Sequence, residues 1–261
     1  MNPRHRPNAI ILSAGQGKRL SPLTDSRPKC LVPVMGRTLI DWQIRALTEV
    51  GIDAITVVTG FGATAVDTAV QAMAGRARIQ CLYNPFFAVA DNIGSCWMAR
   101  DLFGTDTLLL NGDTLVEPAI LERVLNEARA DITVTIDRKA SYDADDMKIR
   151  CDGDRLVAIG KTLEGLVDGE SIGLLRFLGQ GGAQFVRTMR RALEDQATLR
   201  RWYLSIIDEL AREPRTASVG VVSIEGRAWS EIDFPHDLRT AEQAVARFRW
   251  QEARDDVARA V

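Results

Sequence analysis

The chain has 261 residues, with 33 lysines and arginines against 35 aspartates and glutamates. A net charge of −2 gives no general affinity for nucleic acid or an anionic membrane surface, so any anion site has to be local. Hydrophobic (46%) and charged (26%) contents are those of a water-soluble globular chain; four scattered cysteines without a C-x-x-C pair, and two histidines, argue against a zinc site or a disulfide framework and favour a reducing cytoplasm.

The opening MNPRHRPNAIILSAG joins a basic lead to an apolar run of about seven residues, the lower limit for an export signal. GQGKR follows it directly, so the run is read as a buried strand and the protein as cytoplasmic. No stretch approaches the roughly 18 apolar residues of a membrane span. TLIDWQIRALTEVG puts Ile40, Ile44 and Leu47 on one helical face, with Gly51 as a stop. DAITVVTG is a second strand, residues 62–74 a helix, ARIQCLYN a third strand, NIGSCWMARDLF a helix and DTLLLNGD a fourth strand. EPAILERVLNEARA reads as a helix with proline in its first turn, followed by the strand DITVTID.

Apolar strands alternating with helices indicate an α/β chain, a Rossmann-like and mainly parallel sheet with helices on both faces. Beyond about residue 140 the pattern changes. MKIRCDGDRLVAIGK reads as a hairpin turning at Asp152 and Gly153, and GESIGLLRF as a strand. Amphipathic segments follow over 181–194 and 200–213, then a short strand in ASVGVVSIEG and a long helix from about Pro235. One domain over 1–261 is expected, with a core over about 7–140 and a substrate-side elaboration over about 141–261.

The stretch LSAGQGKRLSPLTDSRPK, residues 12–29, carries the chemistry. It fits neither G-x-x-x-x-G-K-[ST], since Gly15 and Gly17 are one residue apart, nor the dinucleotide pattern G-x-G-x-x-G/A, since Leu20 holds its last position. That loss argues against a dinucleotide oxidoreductase. Ser21 to Pro33 show no periodicity, and Pro22, Pro28 and Pro33 stiffen the excursion. Arg19 and Lys29 bracket it, and a fold-back would bring both to one triphosphate, with backbone N–H groups near Gly15 and Gly17 beside them. Lys18 is expected in solvent.

AIILSAGQGKRLSPLTDSRPKCLVPVMGRTLID resembles the opening signature of the nucleotidyltransferases that make NDP-sugars and CDP-alcohols, with Thr38 where that family usually has proline. The resemblance continues through NGD at 111–113, GK at 160–161 and WSEID at 229–233. DNIGSCW, GKTLEGLVDGESIGLLRF and WSEIDFPHDL look closest to bacterial phosphocholine cytidylyltransferases. It implies attack of a phosphate or phosphonate oxygen on the α-phosphorus of a nucleoside triphosphate, CTP above all, with release of pyrophosphate. The acceptor would be phosphocholine or a related small anionic compound.

On that resemblance Arg19 holds the triphosphate and Lys29 lies near the α-phosphate, as catalytic residues. Asp113 and Asp233 share a Mg²⁺, with Glu231 second to them, although Asn111 and Gly112 before Asp113 equally suit a tight turn. Ala14, Gly15, Gly17, Asn84 and Asn92 bind the nucleotide; Asn92 equally suits a helix cap. Lys161 holds the acceptor phosphate. A cationic head group would find aromatic faces and carboxylates among Tyr83, Phe86, Trp97, Trp202, Trp229, Asp143 and Glu170, and a primary ammonium would lean on Glu170 and Asp146. A sugar-1-phosphate uridylyl- or thymidylyltransferase, a cytidylyltransferase for phosphoethanolamine or 2-aminoethylphosphonate, and an inactive nucleotide-binding sensor are the alternatives. No nucleic-acid partner or membrane insertion is expected, and a homo-oligomer is compatible with the chain.

Overall fold

The computed structural model describes residues 6–250 apart from 74 and 76. Nine strands form its main sheet: β1 (Asn8–Ser13), β2 (Ala54–Thr59), β3 (Arg78–Tyr83), β4 (Asp106–Asn111), β5 (Ile132–Asp137), β6 (Lys148–Asp152), β7 (Arg155–Gly160), β8 (Gly169–Leu178) and β9 (Val219–Ser223). They lie in the order β3-β2-β1-β4-β8-β5-β9-β7-β6. The first four are mutually parallel. β8 then inserts antiparallel between β4 and β5, and β9 runs parallel to β5. The sheet is therefore mixed: its parallel part comes mainly from the first half of the chain, and its antiparallel pairings all involve strands of the second half.

Successive side chains of a strand face opposite sides, and β1 uses this to serve two cores. Ile10 packs with Ile93 and Cys96 of α3 (Asn92–Met98), Phe185 and Met189 of α5 (Gly181–Ala192), and Ile206 and Leu210 of α6 (Leu204–Arg212). Ala9 and Ile11 pack on the other face. They meet Ile40, Ile44 and Leu47 of α1 (Leu39–Glu49), Val66 and Val70 of α2 (Ala63–Gln71), and Ile120, Leu121 and Val124 of α4 (Pro118–Glu127). The stripe read in α1 is thus the buried one, and Gly51 ends that helix at φ +79°. A third cluster lies outside the sheet, where Leu20, Leu115 and Ile232 meet Ala241 and Val245 of α7 (Asp237–Arg247).

Several boundaries shift for local reasons. Helix 62–74 ends at Gln71, and residue 74 lies outside the described ones, as do the first five residues of the chain. The segment from 200 becomes helical only at Leu204, after a 3-10 turn over Gln196–Arg200. The last helix starts at Asp237, whose side chain accepts the N–H groups of Asp233 and Phe234. The hairpin turns after Asp152, with Gly153 at φ +59°. Two short ribbons carried no readable pattern: Pro33–Val34 with Arg37–Thr38, and Thr114–Val116 with Trp229–Glu231.

Ligands of such sheets sit beyond the carboxyl ends of the parallel strands, where the chain order reverses. Here that place lies between β1 and β4, which continue into Ala14 and into Gly112–Asp113.

Candidate active site

After β1 the chain turns at Gly17 (φ +76°, ψ 48°) into a 3-10 turn over Lys18–Leu20. Glycine is required there twice over. The angle is left-handed, and a Cβ would stand 2.8 Å from the Lys29 Cβ and 3.0 Å from its Cδ. The lysine stem lies across the loop in the space the glycine leaves. Leu20, fully buried, anchors the turn, and the Thr24 hydroxyl donates to the Gly17 carbonyl at 2.7 Å. Arg19 and Lys29 are thereby aimed into one cleft. Lys18 is exposed, outside the cleft lining.

Asp113 follows β4, and Gly112 permits the turn: a Cβ would sit 2.4 Å from the Leu12 carbonyl oxygen. From α1 the Gln43 amide, 1% exposed, donates to the carbonyls of Asn111 (2.7 Å) and Thr114 (2.9 Å), clamping the turn from below. The ribbon then pairs Thr114 with Glu231, and the Ile232 N–H donates to the Asp113 carbonyl at 3.2 Å. Residues 117 and 119 positions apart in sequence are so brought side by side.

Lys29 Nζ stands 2.7 Å from Asp113 Oδ2 and 2.8 Å from Asp233 Oδ1, and the same Asp233 oxygen lies 2.8 Å from an Arg19 nitrogen. The Arg19 guanidinium also sits 5.0 Å from the Phe234 ring centre. Burial disfavours the charge on Lys29, but the Asp113 and Asp233 carboxylates outweigh it and hold its pKa above the ordinary value. Burial likewise works against Asp233, and Lys29 and Arg19 together hold its carboxyl below the ordinary range. Glu231 reaches the surface, yet lost hydration and repulsion by Asp113 and Asp233 push its carboxyl up to about 8. Carboxylate oxygens of Asp113, Glu231 and Asp233 lie within 4.8 Å of one another, and Asp113 Oδ1 is buried without a protein partner. Carboxylate oxygens so grouped, with one oxygen of Asp113 left without a hydrogen bond among the described residues, suit a hard divalent cation.

The cleft has two lobes. The larger, about 340 Å³, is lined by the five charged residues above together with Asp145, Asp146, Lys161, Glu170 and Trp202. The smaller, about 190 Å³, lies over Ala14 and Gly15 against Gly112, and is closed by Phe87, Asn92 and Ser95. Asn92 touches both lobes. Asp91, not Asn92, caps α3, and the Asn92 Oδ1 accepts the Tyr203 N–H at 2.9 Å.

Residues 8–146, more than half of the chain, match the family model for nucleotidyl transferases. The chain belongs to the nucleotidyl transferase family. It is 29% identical to the CMP-5'-(3-aminopropyl)phosphonate synthase of Streptomyces rubellomurinus over 90% of its own length and 38% of that protein, so it spans well under half of that relative. It is 25% identical to the CTP:phosphoglutamine cytidylyltransferase of Campylobacter jejuni, over 88% of this chain and 97% of the other. A solved structure of the CTP:phosphocholine cytidylyltransferase of Streptococcus pneumoniae superposes with a TM-score of 0.73 at 21% identity, covering 92% of this chain and all of that one. The family binds a nucleoside triphosphate and a phosphate-bearing acceptor.

Of the residues singled out in this nucleotidyl transferase from sequence, the fold gathers Gly15, Gly17, Arg19, Lys29, Asn92, Asp113, Lys161, Glu170 and Asp233 around the larger lobe, with Ala14 in the smaller. Asn84 lines neither: it is buried, donating to Ser95 Oγ (3.1 Å) and accepting the Phe86 N–H (2.9 Å). Tyr83, Phe86, Trp97, Trp229 and Asp143 are also outside both linings. Trp229 is instead held by its indole N–H on Asp137 at 2.7 Å. Gln43, Asp145 and Tyr203 escaped notice because each acts through a contact distant in sequence, and Asp237 escaped it too. Asp237 alone had a local sign, four residues after Asp233 at a helix start.

Proposed function

We propose that the chain transfers CMP from CTP to a small phosphate or phosphonate acceptor of the phosphocholine type and releases pyrophosphate. One observation carries the reading: a single Asp233 oxygen is bonded to both Lys29 and Arg19, while Lys29 also holds Asp113. Two cations and two carboxylates meet at the mouth of the parallel strands, in a chain whose relatives include a CTP-named transferase along nearly its whole length.

An acceptor phosphate is already anionic at neutral pH, so attack on the α-phosphorus needs no strong general base. What it needs is neutralisation, as several negative groups meet and charge builds on the leaving pyrophosphate. Arg19 presents a planar fork able to span phosphate oxygens and hold the leaving group. Lys29, kept charged by its carboxylates, is a point cation for the α-phosphate. Lys161 takes the acceptor's phosphate from the opposite wall. The base enters the smaller lobe, where the Asn92 amide N–H is left to recognise it. Asp113 and Asp233, joined by Glu231, would hold a Mg²⁺, which supplies Lewis-acid neutralisation of phosphate oxygens when bound. We read the chain as one domain, nucleotide binding over about 7–140 and acceptor binding over about 141–261.

Pyrophosphate release measured with each of CTP, UTP and dTTP against phosphocholine, phosphoethanolamine, 2-aminoethylphosphonate and glucose 1-phosphate tests the assignment. Release with CTP and an alkyl phosphate or phosphonate is expected. Release confined to UTP or dTTP with the sugar phosphate overturns the cytidylyl reading.

A further inference from the structure

The acceptor side of the cleft is lined by an anion, Asp145, and backed by a cation, Lys139, which is held on the lining carboxylates Asp146 and Glu170; both come from the loop 138–147 between β5 and β6. At one end the Asp145 carboxylate sits between Lys161 Nζ (3.3 Å) and an Arg19 nitrogen (3.7 Å), from opposite walls of the cleft. At the other end Lys139 Nζ sits between Asp146 (2.8 Å) and Glu170 (2.9 Å). Resting on the transfer reading above, we propose that this loop fills the acceptor site with a zwitterion of its own. An acceptor bearing a primary ammonium and a phosphate or phosphonate replaces it group for group.

The polarity of the two ends sets the class. Lys161, the cation that takes the acceptor's phosphate, holds the Asp145 carboxylate in its place, and the same carboxylate occupies Arg19, which the nucleotide's phosphates would free. Glu170 is 5% exposed, and a buried carboxylate left without a donor is costly. Whatever displaces Lys139 must therefore bring N–H groups to Asp146 and Glu170. A primary ammonium brings three; a trimethylammonium brings none and relies on aromatic faces. Among the described residues two aromatic rings lie near: Trp202 in the lining, which the Lys161 ammonium covers at 4.7 Å, and Tyr142, 5.7 Å from the Lys139 ammonium and part of the same loop, so neither replaces the N–H groups that Asp146 and Glu170 need. A sugar phosphate would leave the two carboxylates facing hydroxyl groups only. Lys139 and Asp145 belong to one short loop that also carries Asp146, so it is their side chains that swing out while the loop backbone and Asp146 stay, and a half-matched acceptor replaces only one of the two ion-pair sets.

The test measures pyrophosphate release with CTP for 3-aminopropylphosphonate, phosphoethanolamine, the N,N,N-trimethyl form of the first, and propylphosphonate. It is run on the unaltered chain, Lys139→Met and Asp145→Asn, each checked by thermal melting. Both primary amines are expected to exceed the trimethyl and amine-free compounds in kcat/KM by about tenfold or more. Removing either internal group is expected to lower KM for the primary amines by roughly three- to tenfold, with KM for CTP unchanged in Lys139→Met. Preference for the trimethyl compound, indifference to the amine, or a KM that stays or rises in both variants overturns the inference and leaves the transfer reading standing. If one variant does not fold, the other decides. Absence of pyrophosphate with every acceptor and every nucleoside triphosphate overturns both.

Discussion

At the scale of single residues, charge is arranged so that each ionised group in the cleft depends on a neighbour. Asp113 illustrates the balance: one oxygen neutralises Lys29, and the other is buried and unpaired. Asp113→Asn keeps the volume and the turn but removes the charge. We expect turnover to fall by about 10²–10³-fold, the cost of losing one preorganised charge-stabilising group, with the melting temperature nearly kept. Near-normal pyrophosphate release from that variant would show that turnover does not use the Asp113 charge. Glu170 gives a second residue-scale prediction. Burial, helped by Asp146 and opposed by Lys139, pushes its carboxyl from 4.5 up to about 7. The folded chain therefore keeps a proton that the unfolded chain has lost, and Glu170 contributes stability below pH 4.5 that disappears as pH rises through about 7. The amount is about 3 kcal/mol. Urea titrations across that window should show Glu170→Gln flattening the decline. Glu231 leaves a residual slope of the same sign up to about 8, and an unchanged slope in the variant refutes the assignment to Glu170.

Between elements, one ion pair joins three of them away from the cleft. Arg176 of β8 makes two 2.9 Å hydrogen bonds to Asp106 at the start of β4, and its third nitrogen donates to the Leu125 and Val124 carbonyls in the last turns of α4. The Val124 carbonyl also accepts the Ala128 N–H at 3.1 Å, and the end carbonyls of a helix have few partners of their own, so the guanidinium both reinforces the end of α4 and pins β8 to β4. Asp106→Ala leaves a buried cation without its carboxylate and should cost about 3–5 kcal/mol in chemical denaturation. Adding Arg176→Met should recover part of that loss, and turnover per folded molecule should not change. A cost below about 1 kcal/mol would mean that water replaces the carboxylate. This contact also shows what the sequence could convey. The helices, the strands and the glycine-loop cations announce themselves through periodicity and local spacing, and Ile40, Ile44 and Leu47 lie where that spacing puts them. Arg176 in GLLRF reads only as a charge in an apolar strand, because its partner is 70 residues away. Asn84 shows the converse: the resemblance placed it at the base, whereas its amide is engaged by Ser95 and Phe86. Gln43 looked like one more polar residue on a helix, and only the fold reveals the turn it clamps.

For the molecule as a whole, sheet order decides which pieces can stand alone. The family match ends at residue 146, as though a complete nucleotide-binding unit ended there. The topology says otherwise. β4 and β5 are not neighbours; β8, from residues 169–178, lies between them and pairs with both. In a fragment of residues 1–146, β4 would keep β1 on one side only, and β5 would lose both β8 and β9. Phe177, Phe185 and Ile206, which fill one core, would be absent, and three unpaired apolar strand edges, one of β4 and two of β5, would be left open to association. The fragment is expected to show no cooperative thermal transition by circular dichroism and to aggregate. Co-expression with residues 147–261 should restore a single transition, together with the cleft to which Lys161, Glu170 and Asp233 belong. A sharp, reversible melt of the fragment alone would show that β1 to β4 and their helices suffice for a core. The second half would then be an addition to the fold rather than part of its sheet.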